Sequence, residues 1–345
     1  MKTVVLIGYF VLLSLITSSH SSLEYDYYRE SCPQAQQIIK YTLRRIYDQN
    51  KSVAPAMLRL VFHDCFIKGC DASVLLDPTE VTGSEKTTPP NESLKGFEHI
   101  DLIKSELENA CPGVVSCADL LVVAARESVV LVGGPFYPLH TGRKDGVHSY
   151  PDDSFNLPSP LDTHSISIHR FELRNFTEKE TVTLLGAHST GKIHCKFFEK
   201  RLYNFGGTNQ PDPSMDPEFV ELLRSMCNKS ETHSQSPSAS PSPSPLTTSK
   251  TRKEQAMNMD YEGPGSGFGT LYYRSLLQGR GILFVDQQMT AGENSSNWVR
   301  QYASDVSMFH KDFAQVMMKL SNYQVLTGSQ GEVRQNCREV KASLW

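Results

Sequence analysis

The chain has 345 residues, of which 39% are hydrophobic and 21% charged, an ordinary globular composition with room for one large domain or two. A formal net charge of -4 supplies no basic field that would select nucleic acid or an acidic surface. No nucleic-acid partner is expected.

Met1-Lys2-Thr3 precedes an apolar run from Val4 to about Ile16 and then a Ser-rich stretch. A charged start, an apolar run too short to span a bilayer and small residues after it define a signal peptide over 1–22, with cleavage between Ser19 and Ser22. No later run is long and apolar enough to cross a membrane, so the mature chain, 23–345, is expected to be soluble and secreted. Eight cysteines, Cys32, Cys65, Cys70, Cys111, Cys117, Cys195, Cys227 and Cys337, agree with an oxidising compartment and read as four disulfides. Spacing leaves the pairing open, apart from the close Cys65 and Cys70.

Most of the mature chain reads as helix. Apolar residues recur at helical spacing from Cys32 to Asp48, and a second helix holds Met57 to Phe66. Within the latter, LRLVFHDCFIKGCDAS places Arg59 and His63 four residues apart, on one helical face in an apolar stretch. A lone histidine there is commonly a core residue, but an ionisable pair set in an apolar layer is costly without a task. Asp64, Asp71 and Ser73 follow in a short loop closed by cysteines, an oxygen-rich set suited to a hard cation.

Cys117 to Leu131 is apolar and long enough for a buried helix that stops at Gly133-Gly134-Pro135. Thr177 to Ala187 reads as another, with Thr177 and Glu180 in capping-box spacing. Late helices are expected near Ser296–Ala303 and Met308–Leu320. Few segments alternate with period two, so a large sheet is not expected. Residues 228–255 are Ser/Pro-rich and cannot form a helix interior or a central strand, so they read as an exposed insertion. Sequons occur at Asn91, Asn175, Asn228 and Asn294, with Asn228 and Asn294 the favoured glycan sites.

Seven separated motifs occur in order: LRLVFHDCFIKGCDAS, EKTTPPNESLKGF, CPGVVSCADLL, NLPSP, LLGAHSTGK, VDQQM and VLTGSQGEVRQNC. Together they resemble the secreted plant haem peroxidases of class III, from about Tyr28 to Cys337. The resemblance implies a mostly α-helical domain, two helical halves around haem b, interrupted by the Ser/Pro insertion. It implies disulfides Cys32–Cys111, Cys65–Cys70, Cys117–Cys337 and Cys195–Cys227. His63 corresponds to the distal base that moves the peroxide proton, Asn91 to the residue fixing its tautomer, and Arg59 to the cation that stabilises the leaving oxygen. Phe62 walls the site. His188 corresponds to the axial iron ligand, Asp286 to its carboxylate partner, and Pro160 to the edge where aromatic donors dock. Asp64, Asp71, Ser73 and the carbonyls of Ile67 and Gly69 correspond to a distal Ca²⁺ site, with Glu85 acting through water. Asp119 and Arg143 correspond to a buried structural ion pair.

The pattern departs on the proximal side. Ser189 and Asp260 match a second Ca²⁺ site, but Gly263 and Gly269 stand where side-chain oxygens are usual, so that ion is expected to be weak or absent. The implied activity reduces hydrogen peroxide and oxidises phenolic donors in one-electron steps through a ferryl intermediate. The expected setting is the cell wall or vacuole, as a monomer, with wall polymers as further partners. The rival is a catalytically weak haem- or calcium-binding wall protein on the same fold.

Overall fold

The structure is a computed structural model that describes residues 23–227, 255–259 and 267–341. The leader, most of the Ser/Pro tract, Asn228, Asp260 and Gly263 lie outside the described residues. In chain order the helices are α1 (Ala35–Gln49), α2 (Val53–Cys65), α3 (Phe97–Ala110), α4 (Cys117–Leu131), α5 (His164–Glu172) and α6 (Glu178–Leu185). They continue with α7 (Glu199–Tyr203), α8 (Pro217–Cys227), α9 (Leu271–Leu277), α10 (Phe284–Gln287), α11 (Glu293–Ser304) and α12 (Val306–Ser321). The sheet among the described residues has two short antiparallel strands, β1 (Lys192–His194) and β2 (Ala256–Asn258), with Ile193 opposite Met257. No helix among them is long and apolar enough to cross a membrane.

The site is framed by two groups of helices. In the first, α1 lies on α3 and α4, and α2 lies along α4. Helix α4 has the bounds that its sequence predicts, and nearly every residue from Cys117 to Val129 is buried. Such all-round burial, with few polar residues among the apolar ones, marks a central helix. Ser116 caps it, its side chain accepting the Asp119 amide. In the second group, α6 packs on α11 and α12, and α9 packs on α11. The expected capping box is present: Thr177 Oγ1 accepts from the Glu180 amide while Glu180 accepts from the Thr177 amide. Helix α6 stops at Leu185 and the chain tightens into a 3-10 turn, Gly186–Ser189, that carries His188.

All four implied disulfides are present: Cys32–Cys111, Cys65–Cys70, Cys117–Cys337 and Cys195–Cys227. The Cys117–Cys337 bridge spans 220 positions and ties the chain end to α4. The buried Arg143–Asp119 pair is also present, with Nη1 to Oδ1 at 2.7 Å. Asp119 Oδ2 accepts from Tyr28 Oη and from the Gly142 and Arg143 amides, while Arg143 donates to Ser321 O. Ionic groups so fully hydrogen-bonded make burial tolerable and join α4 to the end of α12.

Candidate active site

Helix α2 presents Arg59, Phe62 and His63 from its last two turns. It begins at Val53, earlier than expected, because Pro55 falls in the first turn where its missing N–H breaks no helical bond. His63 is 9% exposed. Its Nδ1 lies 2.6 Å from Asn91 Oδ1, and Arg59 Nε donates to its Nε2 at 3.3 Å. Asn91 itself is fixed, because its Nδ2 donates to Glu85 O at 3.0 Å. An amide oxygen accepts only, so the Asn91 contact requires a proton on Nδ1. That leaves Nε2 with its lone pair, the form a base needs.

Electrostatics reinforce this. Burial, with the Arg59 charge adding to it, pulls His63 down to about 3 against the opposing pull of Asn91, so the ring is neutral near pH 7. Arg59 is exposed overall, with its Nε turned inward to His63. Desolvation lowers it to about 10, which leaves it charged at neutral pH. Ser93 Oγ and the carbonyls of Ser93 and Pro90 accept its remaining protons. Phe62 stacks on Phe66 at 4.7 Å between centroids and stands edge-on to His63 at 6.1 Å. Pro160 is half-buried, and its carbonyl accepts from the Val285 amide, one residue before Asp286.

His188 is the counterpart from the other helical group. Its Nδ1 lies 2.8 Å from Asp286 Oδ1, although 98 positions separate them. Burial resists charging of this imidazole and Arg59 repels it, but Asp286 outweighs both and raises its pKa. The two helical groups meet near Gly191, three residues after His188, where an added Cβ would stand 3.0 Å from Pro55 of α2. Among the described residues Nε2 of His188 has no protein partner, so this imidazole offers one lone pair outward and is held firmly by its other nitrogen. Such a donor suits an iron ligand.

Tyr272 was not recognised from the sequence. Its hydroxyl donates to the same Asp286 Oδ1 at 2.9 Å, while Asp286 Oδ2 is buried without a partner. The Tyr272-Tyr273 pair in the sequence carried no sign that one phenol would reach that carboxylate. A small cavity beside it is lined by His188, Met259, Tyr272 and Asp286.

The loop after α2 gathers acids. Asp64 accepts the Ala72 and Val74 amides, and Asp71 accepts the Ser73 amide. Gly146 lets Asp71 approach closely: a Cβ there would stand 2.3 Å from Oδ2. Burial, with Asp71 and Glu85 nearby, raises Asp64 well above the usual carboxylate range. Burial likewise raises Asp71, and raises Glu85 to about 7. Ser73 Oγ and Glu85 Oε2 are buried without a hydrogen-bond partner. Orphaned oxygens among mutually repelling acids fit a hard cation. Three acidic or imidazole side chains do not converge at ligand distance among the described residues, so hydroxyl and carbonyl oxygens would complete such a site. On the proximal side Ser189 Oγ donates to Gly186 O at 2.5 Å, and Asp260 lies outside the described residues.

One histidine held between an asparagine and an arginine, and a second braced by a carboxylate, are the arrangement that the sequence resemblance implies. The chain belongs to the peroxidase family, which it matches over residues 39–305. It is 52% identical to "Putative Peroxidase 48" of Arabidopsis thaliana over 92% of this chain and 82% of that protein. It is 38% identical to "Peroxidase 57" of the same plant, over 95% and 96% of the two chains. "Peroxidase 47" of Arabidopsis thaliana is 39% identical, over 92% and 89%. The protein is a peroxidase, and membership of this family implies haem and calcium.

Proposed function

We propose that this chain is a secreted peroxidase that holds haem b through His188 and oxidises small phenols at the expense of hydrogen peroxide. The observation that carries the reading is the placement of His63, with Nδ1 2.6 Å from Asn91 Oδ1 and Nε2 3.3 Å from Arg59 Nε. Bound haem supplies the iron that takes up peroxide and stores its oxidising equivalents. His63 Nε2 takes the proton from one peroxide oxygen and gives it to the other, which leaves as water. Arg59 stabilises the negative charge that grows on that departing oxygen. Phe62 narrows the approach, which keeps donors at the edge marked by Pro160. His188 would hold that iron, and its Nδ1 contact with Asp286 would give the imidazole imidazolate character and make it a stronger electron donor. Over a full cycle one peroxide and two phenols yield two waters and two phenoxyl radicals.

Asp64, Asp71, Ser73 and the carbonyls of Ile67 and Gly69 hold one Ca²⁺, with Glu85 joined through water. Because Asp64 adjoins His63, that ion braces the distal helix. The proximal site, built on Ser189 and Asp260, binds calcium weakly, since Gly263 and Gly269 offer no side-chain oxygen. Four disulfides support residence outside the cytosol. Against the rival of a fold with little turnover stand the Arg59–His63 and His63–Asn91 contacts on one side and the His188–Asp286 contact on the other. His63→Leu tests the reading. Reaction of the haem-loaded protein with peroxide should slow by roughly 10² to 10⁴-fold, the usual worth of a general acid–base. An unchanged rate with haem retained would contradict it.

A further inference from the structure

A file of oxidisable rings leaves the proximal histidine and ends near the surface. Tyr272 stands edge-on to His188 with centroids 6.4 Å apart. Tyr272 and Tyr273 are 4.9 Å apart, Tyr273 and Tyr302 5.1 Å, and Tyr302 and Trp298 6.1 Å. Tyr273 and Tyr302 are fully buried, whereas Trp298 on α11 is partly open to solvent. The other branches of this ring cluster among the described residues run through Phe309 to Phe268, Phe313 and His310, so each begins at a phenylalanine. Phenylalanine is too hard to oxidise to continue such a path.

We propose that Trp298 is a second donor-oxidising site, joined to the haem side through Tyr272, Tyr273 and Tyr302, that serves phenolic polymers too bulky for the edge at Pro160. The inference rests on the haem peroxidase reading. The hydrogen bonds favour transfer of charge over mere packing. Tyr272 donates to Asp286 at 2.9 Å and Tyr302 donates to Asp312 at 2.8 Å, so each phenol that pauses with a missing electron has a carboxylate to hold its proton. Tyr273 donates to the Val182 carbonyl, which cannot take a proton, so the charge passes through it without resting. Lys179 bridges Asp312 at 2.8 Å and lies over the Trp298 ring at 4.7 Å from its centroid. That cation makes the indole harder to oxidise, hence a stronger oxidant once it has lost an electron. Gln301, one turn after Trp298 on its face, is exposed and uncharged, and leaves that side of the ring open to a neutral polymer.

The chemistry balances. One electron leaves Trp298 through the tyrosines for the peroxide-oxidised centre, and the indole N–H proton passes to solvent. A phenolic unit then returns one electron and its hydroxyl proton to Trp298 and departs as a phenoxyl radical. Two such events consume one peroxide.

The test pairs a spectrum with a substrate comparison on the haem-loaded protein. Freeze-quenched samples treated with peroxide should show a tryptophan radical by electron paramagnetic resonance, absent in Trp298→Phe. Oxidation of a phenol-grafted dextran should fall at least tenfold in that variant, while oxidation of free guaiacol stays within twofold. Tyr302→Phe, which keeps the ring and removes the proton donor, should show the same split and guards against misfolding of the first variant. An unchanged dextran rate in a variant that keeps its haem would overturn the inference alone. Failure of the unsubstituted protein to oxidise guaiacol would overturn the peroxidase reading and this inference with it.

Discussion

Asn91→Ala isolates the device that prepares the distal base. The contact it removes is 2.6 Å long, between a residue 1% exposed and one 9% exposed. The variant strands a buried imidazole N–H, which costs about 1 to 3 kcal/mol. That cost falls on the tautomer with a free Nε2, the one that reacts, and the other tautomer can still meet Arg59 only through a clash of two donors. At about 1.36 kcal/mol per decade, the reaction with peroxide should slow by roughly 5- to 150-fold. Loss of the Nδ2 bond to Glu85 O should also lower the melting temperature by a few degrees, about 1 kcal/mol of stability. The assay is stopped-flow absorbance of the haem-loaded variant at pH 7, where His63 remains neutral with or without its partner. A rate within twofold of the unsubstituted protein, with haem fully bound, would refute the claim that Asn91 sets the tautomer.

Tyr272→Phe removes one of two donors from Asp286 Oδ1, so more carboxylate charge reaches His188. The reduction potential of the haem-loaded protein should fall, and an unchanged potential by spectroelectrochemistry would show that the phenol has no hold on the metal. Arg143→Met leaves Asp119 charged and unpaired in a site 0% to 1% exposed, a loss of about 3 to 5 kcal/mol that a denaturant titration reads directly. In calcium-free protein Glu85 titrates near 7 rather than 4.5, so the folded form holds more protons than the unfolded one between those values. Stability without calcium should therefore decline as pH rises through that window and be restored by calcium, with a flat melting profile counting against the site. Metal analysis should find one tightly held calcium per chain, and two would contradict the loss of proximal ligands at Gly263 and Gly269.

The features most legible in the sequence are those that local pattern dictates. Helix α4 has its predicted ends because a capping serine, an apolar run and a Gly-Gly-Pro stop all act within 20 residues or so. The Thr177–Glu180 box is equally local. Helix α3 went unrecognised although Ile100, Ile103, Lys104 and Leu107 keep helical spacing on its buried face, because a buried lysine interrupts the apolar pattern. That lysine is tolerated by donating to Val115 O and pairing with Glu108 at 2.6 Å. Helices α5, α7, α8, α9 and α10 were also missed, and all but the eleven-residue α8 are short pieces stabilised by their neighbours more than by their own sequence. Within the site, Arg59 and His63 are one helical turn apart and show themselves. His188 and Asp286 meet only through the fold, and their pairing came from resemblance. Tyr272 shows the limit of both, since nothing in a run of two tyrosines says which phenol turns toward the carboxylate.

The most direct test of the account is the absorption spectrum of the haem-loaded protein before and after one equivalent of hydrogen peroxide, then after a phenol. The account predicts a Soret band that shifts with peroxide, at a rate that collapses in His63→Leu, and that returns to its starting form as the phenol is oxidised. A folded protein that binds haem through His188 and leaves the band unmoved by peroxide would contradict it.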